Sequence, residues 1–168
     1  MGYMITFLLL VGLVCAFNLV VTIGLVRKQR AAPPPDLRPV AGVGEEVGEF
    51  AAVDVDGRRL DRTDLIDRFV LFLSPGCPAC EDLLPLTLER ARDHDPDRLV
   101  AAVVRDADDT AVARYVARLA AVARVVVTEP DSDLAEAFAL TGLPSYARVD
   151  ADGRVAESGR TLPAGARA

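Results

Sequence analysis

Cys77 and Cys80 stand three residues apart in Ser74-Pro75-Gly76-Cys77-Pro78-Ala79-Cys80, with Pro75, Gly76, Pro78 and Ala79 forming the loop around them. Two thiols at this spacing could exchange with a disulfide or help to hold a metal. Exchange requires an exposed, acidic attacking thiol and a second thiol near enough to resolve the mixed disulfide. The flanking sequence suits that requirement. Phe69 to Leu73 is a continuous apolar run of strand length, and Glu81 to Arg92 follows a helical pattern. A buried strand running into a helix puts Cys77 at the helix N-terminus, where unpaired backbone N–H groups favour a thiolate. Cys80 then lies one turn further in. No cofactor is needed beyond a redox-active Cys77–Cys80 disulfide.

A zinc site needs further ligands. His94 is the only histidine, and the third cysteine, Cys15, falls in an apolar segment, so carboxylates would have to complete the set. His94 reads instead as a surface residue near the end of the helix, where partial positive charge suits the dipole.

The elements that must position the cysteines follow from pattern. Phe50 to Val55 and Arg58 to Leu60 read as a hairpin turning at Asp56-Gly57. Thr63 is a plausible cap for a short turn through Leu65 and Ile66. Leu83, Leu84, Leu86 and Leu88 mark the core face of the helix after Cys77, and Pro85 should kink it. Leu99 to Val104 and Val125 to Val127 read as buried strands. Between them, Asp108 to Val122 carries Val112, Tyr115, Val116 and Leu119 at helical spacing. Asp131 to Phe138 is a short helix capped by Asp131 or Ser132, and Ser145 to Val149 with Val155 to Ser158 close the domain as a hairpin. Strands alternating with helices imply an α/β domain with a mixed sheet and helices on both faces.

Charge divides the chain. Residues 1–26 carry no charged side chain, residues 27–38 carry four basic residues and one acid, and residues 39–168 hold 15 basic and 24 acidic residues, a net of −9. So acidic a domain is ill suited to bind nucleic acid. Gly2 to Val26 is apolar apart from Tyr3, Thr6, Asn18 and Thr22, long enough for one spanning helix, with residues 3–26 in the bilayer. A cleaved signal peptide would need a basic start, a shorter apolar core and a small-residue cleavage site, none of which is evident. Residues 1–30 are therefore read as an anchor and 31–46 as a linker stiffened by Pro33, Pro34 and Pro35. The folded domain is expected over 47–160, with a disordered tail over 161–168.

Further along, Thr141-Gly142-Leu143-Pro144-Ser145-Tyr146 completes a resemblance to the thioredoxin superfamily, specifically its membrane-anchored TlpA/ResA-like branch. It covers about Val47 to Ser158. Gly48-Glu49-Phe50 through Asp56-Gly57 is similar to that branch's N-terminal hairpin. Ser74 to Cys80 resembles the active site of the thioredoxin-like protein of methylamine utilisation. Pro85 matches the kink proline, and Val149-Asp150 with Asp152-Gly153-Arg154-Val155 matches the usual ending. The resemblance implies a thioredoxin-like fold with a cis Leu143–Pro144 peptide facing the cysteines, where Leu143 and Pro144 receive a substrate chain. It also implies a protein disulfide or dithiol as substrate and a redox partner that resets the site. The chain departs from the pattern at three places. Gly76 stands where a tryptophan is common, Leu71 where thioredoxins bury an acid, and Leu83 where the ResA type carries a glutamate.

The reading reached is a membrane-tethered thiol–disulfide oxidoreductase that reduces or matures a partner protein. Two others stand beside it: a tethered, non-catalytic interaction module, and a peroxiredoxin-like thiol peroxidase. The last calls for an arginine and a threonine around the cysteine, where this chain has prolines and glycine. For a single-pass protein of the cell membrane, Arg27, Lys28 and Arg30 argue for a cytoplasmic domain. The resemblance argues for an extracytoplasmic one, which is the expectation taken here.

Overall fold

A computed structural model describes residues 39–105 and 108–164, together with Tyr3, Met4, Thr6, Phe7, Gly12 and Leu19. The chain forms two compact units, Met1–Leu37 and Arg38–Ala168. In the first, each of the six described residues is helical. No helix among the described residues is long and apolar enough to cross a membrane. Most of the expected anchor over 1–30, Cys15 included, lies outside the described residues, as does the linker over 31–38.

The second unit is built on a five-stranded mixed sheet. Its strands are β3 (Phe69–Leu73), β4 (Leu99–Val104), β5 (Arg124–Thr128), β6 (Ser145–Val149) and β7 (Val155–Gly159), in the order β5-β4-β3-β6-β7. A separate two-stranded hairpin, β1 (Ala51–Val53) and β2 (Arg59–Asp61), precedes them. Strands β3, β4 and β5 are parallel, joined through α1 (Pro78–Ala91) and α2 (Asp109–Leu119). Strands β6 and β7 run antiparallel at the other side. Centrality explains the unbroken apolar runs: all six residues of β4 are buried, as are four of the five in β3.

Alternate residues of β3 serve opposite faces. Val70 and Phe72 join a core with the hairpin residue Leu60 and with Leu134 and Phe138 around α3 (Asp133–Ala137). Leu71 and Leu73 join the core beneath α1 and α2, with Cys80, Leu84, Val112 and Tyr115. The mixed sheet flanked by helices is thus as expected, with two helices on one face and the hairpin and α3 on the other.

Several local expectations need correction. Cys77 stands at the N-terminus of the first α-helix as expected, and the helix begins at Pro78 because Cys77 caps it and proline suits a first-turn position, where its missing N–H is not needed. Its buried face is Cys80, Leu84, Thr87 and Ala91, while Leu83, Leu86 and Leu88 are half-buried. The 3.6-residue period selects one narrow stripe from a broad leucine cluster. Helix α1 runs on past the exposed Pro85 to Ala91. The short 3-10 turn Arg62–Leu65 is capped by Asp61 rather than Thr63, and the Asp64 carboxylate returns a bond to the Asp61 N–H. Of the two caps offered for α3, Ser132 is the one used.

Both domain edges also move outward. The domain takes in Val40 and Ala41, both buried, and the Ala41 N–H donates to the Phe138 carbonyl at 2.7 Å. A start at 47 leaves out these two members of the core that holds the hairpin residue Leu60. At the other end, Leu162 is 1% exposed in the core beneath α1. Arg90 donates to the Leu162 carbonyl and His94 Nε2 lies 3.2 Å from that of Pro163. The tail expected to be disordered from 161 is packed through that point, and 165–168 lie outside the described residues. His94 is half-buried, its ring meeting Phe69 edge to face with centroids 4.8 Å apart.

One buried ionic centre ties the hairpin to edge strand β5. Asp54 lies just beyond β1, its side chain fully covered, and accepts from Arg124 Nε at 2.6 Å and Arg58 Nε at 2.9 Å. The backbone N–H groups of Asp56 and Arg58 also donate to it. Burial alone pushes the Asp54 carboxyl up. The backbone donor of Arg58 and the two guanidinium groups outweigh that and hold it down at about 2. An unfolded aspartate binds protons at higher pH than this one, so the stabilisation is complete above about pH 5 and is lost as pH falls from about 4 to about 2. Asp54→Ala is expected to destabilise the domain by about 3 kcal/mol. It should also flatten that acid limb in denaturant titrations from about pH 6 down to about pH 2; an unchanged limb would remove Asp54 from its origin.

Candidate active site

Sequence register brings the two halves of the site together. In the antiparallel β3–β6 pair, Phe72 lies opposite Ser145, so β6 begins where β3 ends. The residues just before Ser145 and those just after Leu73 are thereby neighbours at one end of the sheet. They are Leu143-Pro144 and the cysteine loop.

That loop is held by its own backbone. Ser74 is fully buried, its hydroxyl accepts from the Gly76 N–H at 3.2 Å, and its carbonyl accepts from the Cys77 N–H at 3.3 Å. The turn delivers Cys77 to the N-cap of α1, where its sulfur accepts from the Cys80 N–H at 3.2 Å. Cys77 is half-buried and Cys80 is 0% exposed. Pro78 and Ala79 are exposed beside Cys77, as is Gly76, while Pro75 is half-buried.

The Leu143–Pro144 peptide is cis. The Cys77 thiol points at the Leu143 carbonyl oxygen, 3.7 Å away, the range of a weak sulfur hydrogen bond. Pro144 is buried, and Leu143 is half-buried and packs against the same core as Cys77 and Cys80. Cys77, Cys80, Leu143 and Pro144 therefore form one cluster. It combines an accessible sulfur, a covered sulfur one turn away, and a backbone carbonyl facing the accessible one.

No family model matches the chain, and no curated protein matches it. Solved structures do. The thioredoxin domain of a thiol-disulfide oxidoreductase from Bacteroides vulgatus superposes with a TM-score of 0.56 at 18% identity, over 72% of this chain and 90% of that one. A thio-disulfide isomerase from Thermus thermophilus gives 0.58 at 17% identity, over 73% and 89%. A secreted Mycobacterium tuberculosis disulfide oxidoreductase, described as homologous to E. coli DsbE, gives 0.51 at 21%, over 70% and 87%.

The fold is thioredoxin-like.

Within this thioredoxin-like domain, Leu71 and Leu83 are where the departures from pattern matter. Leu71 is buried in the core that holds Cys80, and Leu83 is half-buried on α1, so neither position offers a carboxylate. Sequence reasoning placed Tyr115 as a core residue of its helix, and it is 3% exposed. What that reasoning missed is its hydroxyl. Burial first, then the negative charge of Glu81, raise the Tyr115 phenol well above its ordinary value. The signal was available, since a tyrosine on a face otherwise made of valine and leucine must place a polar tip somewhere.

The exposure difference between the sulfurs is directly testable. Iodoacetamide should alkylate the reduced, folded protein at Cys77, with Cys80 in the Cys77→Ala variant reacting roughly 100-fold more slowly until denaturant is added. Equal rates, followed by peptide mass spectrometry, would contradict the burial of Cys80.

Proposed function

We propose that this chain is a membrane-tethered thiol–disulfide oxidoreductase that reduces or matures a partner protein through Cys77 and Cys80. The observation that carries this reading is the 3.7 Å approach of an accessible, helix-capping sulfur to the Leu143 carbonyl, with a second sulfur buried one turn behind it. The similarity in fold to a thiol-disulfide oxidoreductase and to a disulfide oxidoreductase supports it.

In the forward cycle the Cys77 thiolate attacks a partner disulfide. One partner sulfur leaves with its electron pair, and the other stays bonded to Cys77. An extended substrate chain lies along the backbone before Pro144, in the manner of an added strand. Cys80 then attacks the Cys77 sulfur and expels the second partner sulfur. The partner departs as a dithiol, reduced by two electrons, and the chain keeps a Cys77–Cys80 disulfide. A separate dithiol donor must reset that disulfide; run backwards, the same steps oxidise partners. No cofactor besides this sulfur pair enters the cycle. The apolar stretch over residues 3–26 holds the domain at the bilayer, on the extracytoplasmic side where disulfide-bearing partners persist.

Insulin reduction by dithiothreitol separates this reading from a non-catalytic module. Full-length protein in mild detergent should accelerate insulin precipitation at least about tenfold over its Cys77→Ser variant; equal rates would remove the oxidoreductase assignment. In intact cells, a membrane-impermeant maleimide should label Cys77 before lysis. Labelling that appears only after lysis would put the domain in the cytoplasm.

A further inference from the structure

Helix α2 turns one stripe of side chains toward the first turn of α1. Ala111, Arg114, Tyr115 and Arg118 recur at the spacing that puts residues on a single helical face. Together with Ala117 and with Glu81 of α1 they line a surface groove of about 320 Å³. The two alanines are too short to fill the space between the helices, and the longer arginines stand beside it. The groove lies close to the exchange site. Glu81 belongs to the first turn of α1, and its N–H donates to the Cys77 carbonyl at 3.1 Å. The groove therefore opens one helical turn from the accessible sulfur.

Arg114 and Arg118 are exposed, and neither makes an ion pair or hydrogen bond among the described residues. The acids at the start of α2 are already engaged: Asp108 accepts from the Ala111 N–H, and Asp109 pairs with Arg105. Four residues apart on one face, the two guanidinium groups are near enough to grip a single carboxylate. Tyr115 contributes a second unmet demand. It is buried, and its hydroxyl has no hydrogen-bond partner among the described residues. A buried donor without an acceptor is costly, and a carbonyl or carboxylate brought into the groove can supply one.

We propose that this groove is a specificity subsite for the partner polypeptide, taking an Asp or Glu side chain that Arg114 and Arg118 bind together. The inference rests on the exchange reading above and narrows its substrate to a disulfide protein with an acidic segment beside the reacting cysteine. A polypeptide joined to the Cys77 sulfur must run on over the neighbouring surface, and the route past Glu81 leads into the groove. Glu81, the one carboxylate lining it, stands at the Cys77 end. It repels an acid placed next to the partner cysteine and spares one that reaches α2. One turn of α1 is about 6 Å long, and neighbouring helix axes lie about 9 Å apart. An extended chain crosses the resulting distance, about 11 Å, in roughly three or four residues. Residues 39–168 carry a net charge of −9, so the attraction is local to the arginine pair and sensitive to salt.

The probes are short glycine–serine peptides whose single cysteine is carried as a mixed disulfide with thionitrobenzoate. Reduced full-length protein in mild detergent attacks through Cys77. The Cys77–peptide disulfide forms, coloured thionitrobenzoate leaves with the electron pair, and Cys80 then expels the peptide as a thiol. With Glu about four positions to either side of the cysteine, colour release at low salt should have a second-order rate constant roughly fivefold above that of the Gln peptide. The ratio should shrink at about 0.5 M salt. In Arg114→Ala/Arg118→Ala the preference should vanish, and Arg114→Glu/Arg118→Glu should favour a Lys peptide instead. A general change in Cys77 reactivity moves every peptide alike and leaves these ratios where they were. Equal rates for the Glu and Gln peptides in the unaltered protein, or a preference for Glu that survives both variants, overturns the subsite and leaves the exchange reading intact. Colour release no faster than from Cys77→Ser overturns both.

Discussion

The register of one antiparallel pair governs this domain. With Phe72 opposite Ser145, the end of the central strand and the start of β6 coincide, and everything chemically notable lies at that edge. A slip of one residue would turn every β6 side chain to the other face, exchanging Tyr146 with Ala147 and unseating both cores. Register here is specified from both sides, since Ala147 and Val149 pack on one core and Tyr146 on the other. The position of the Leu143 carbonyl relative to the Cys77 sulfur is therefore a consequence of core packing, with the loop contacts adding the last adjustment.

A second constraint acts on the cysteine loop. A strand that is buried on both faces cannot bend, so the chain must turn within Ser74 to Gly76 before α1 begins. The buried Ser74 supports that turn with both its hydroxyl and its carbonyl. Helix α1 then packs through Cys80, Leu84, Thr87 and Ala91. The same burial that anchors the helix seals the second sulfur, whereas the capping position leaves the first one accessible. One packing decision thus makes two chemically identical side chains different. The environment of Tyr115 follows from it too, because α2 must cover the sulfur that α1 presents to the core.

The remaining structure supports this edge from a distance. Asp54, Arg58 and Arg124 clamp the hairpin to β5 without approaching the cysteines in sequence. Leu162 and the carbonyls bound by Arg90 and His94 fasten the tail to the far end of α1. Neither feature has a strong local signature. Asp54 sits in a run of Val, Asp and Gly that reads as an ordinary turn, and Leu162 is one apolar residue in a small, polar and glycine-containing tail. Their roles depend on partners some 70 residues away, which periodicity cannot report.

What the sequence determined by itself was whatever is encoded within about 20 neighbouring residues. The apolar runs of β3 and β4, the Asp56-Gly57 turn, the cysteine pair ahead of a helix, and the helical spacing of Val112, Tyr115 and Leu119 all appear where local pattern placed them. Local pattern also blurred what it could not resolve, choosing Thr63 over Asp61 as a cap and a broad leucine face over the narrow stripe in use. Only the tertiary structure decided which of two thiols is sealed, that the tail packs, and that Asp54 is the centre of an ion cluster. Those outcomes are set by which surfaces lose water when distant segments dock, and no short stretch of chain carries that information.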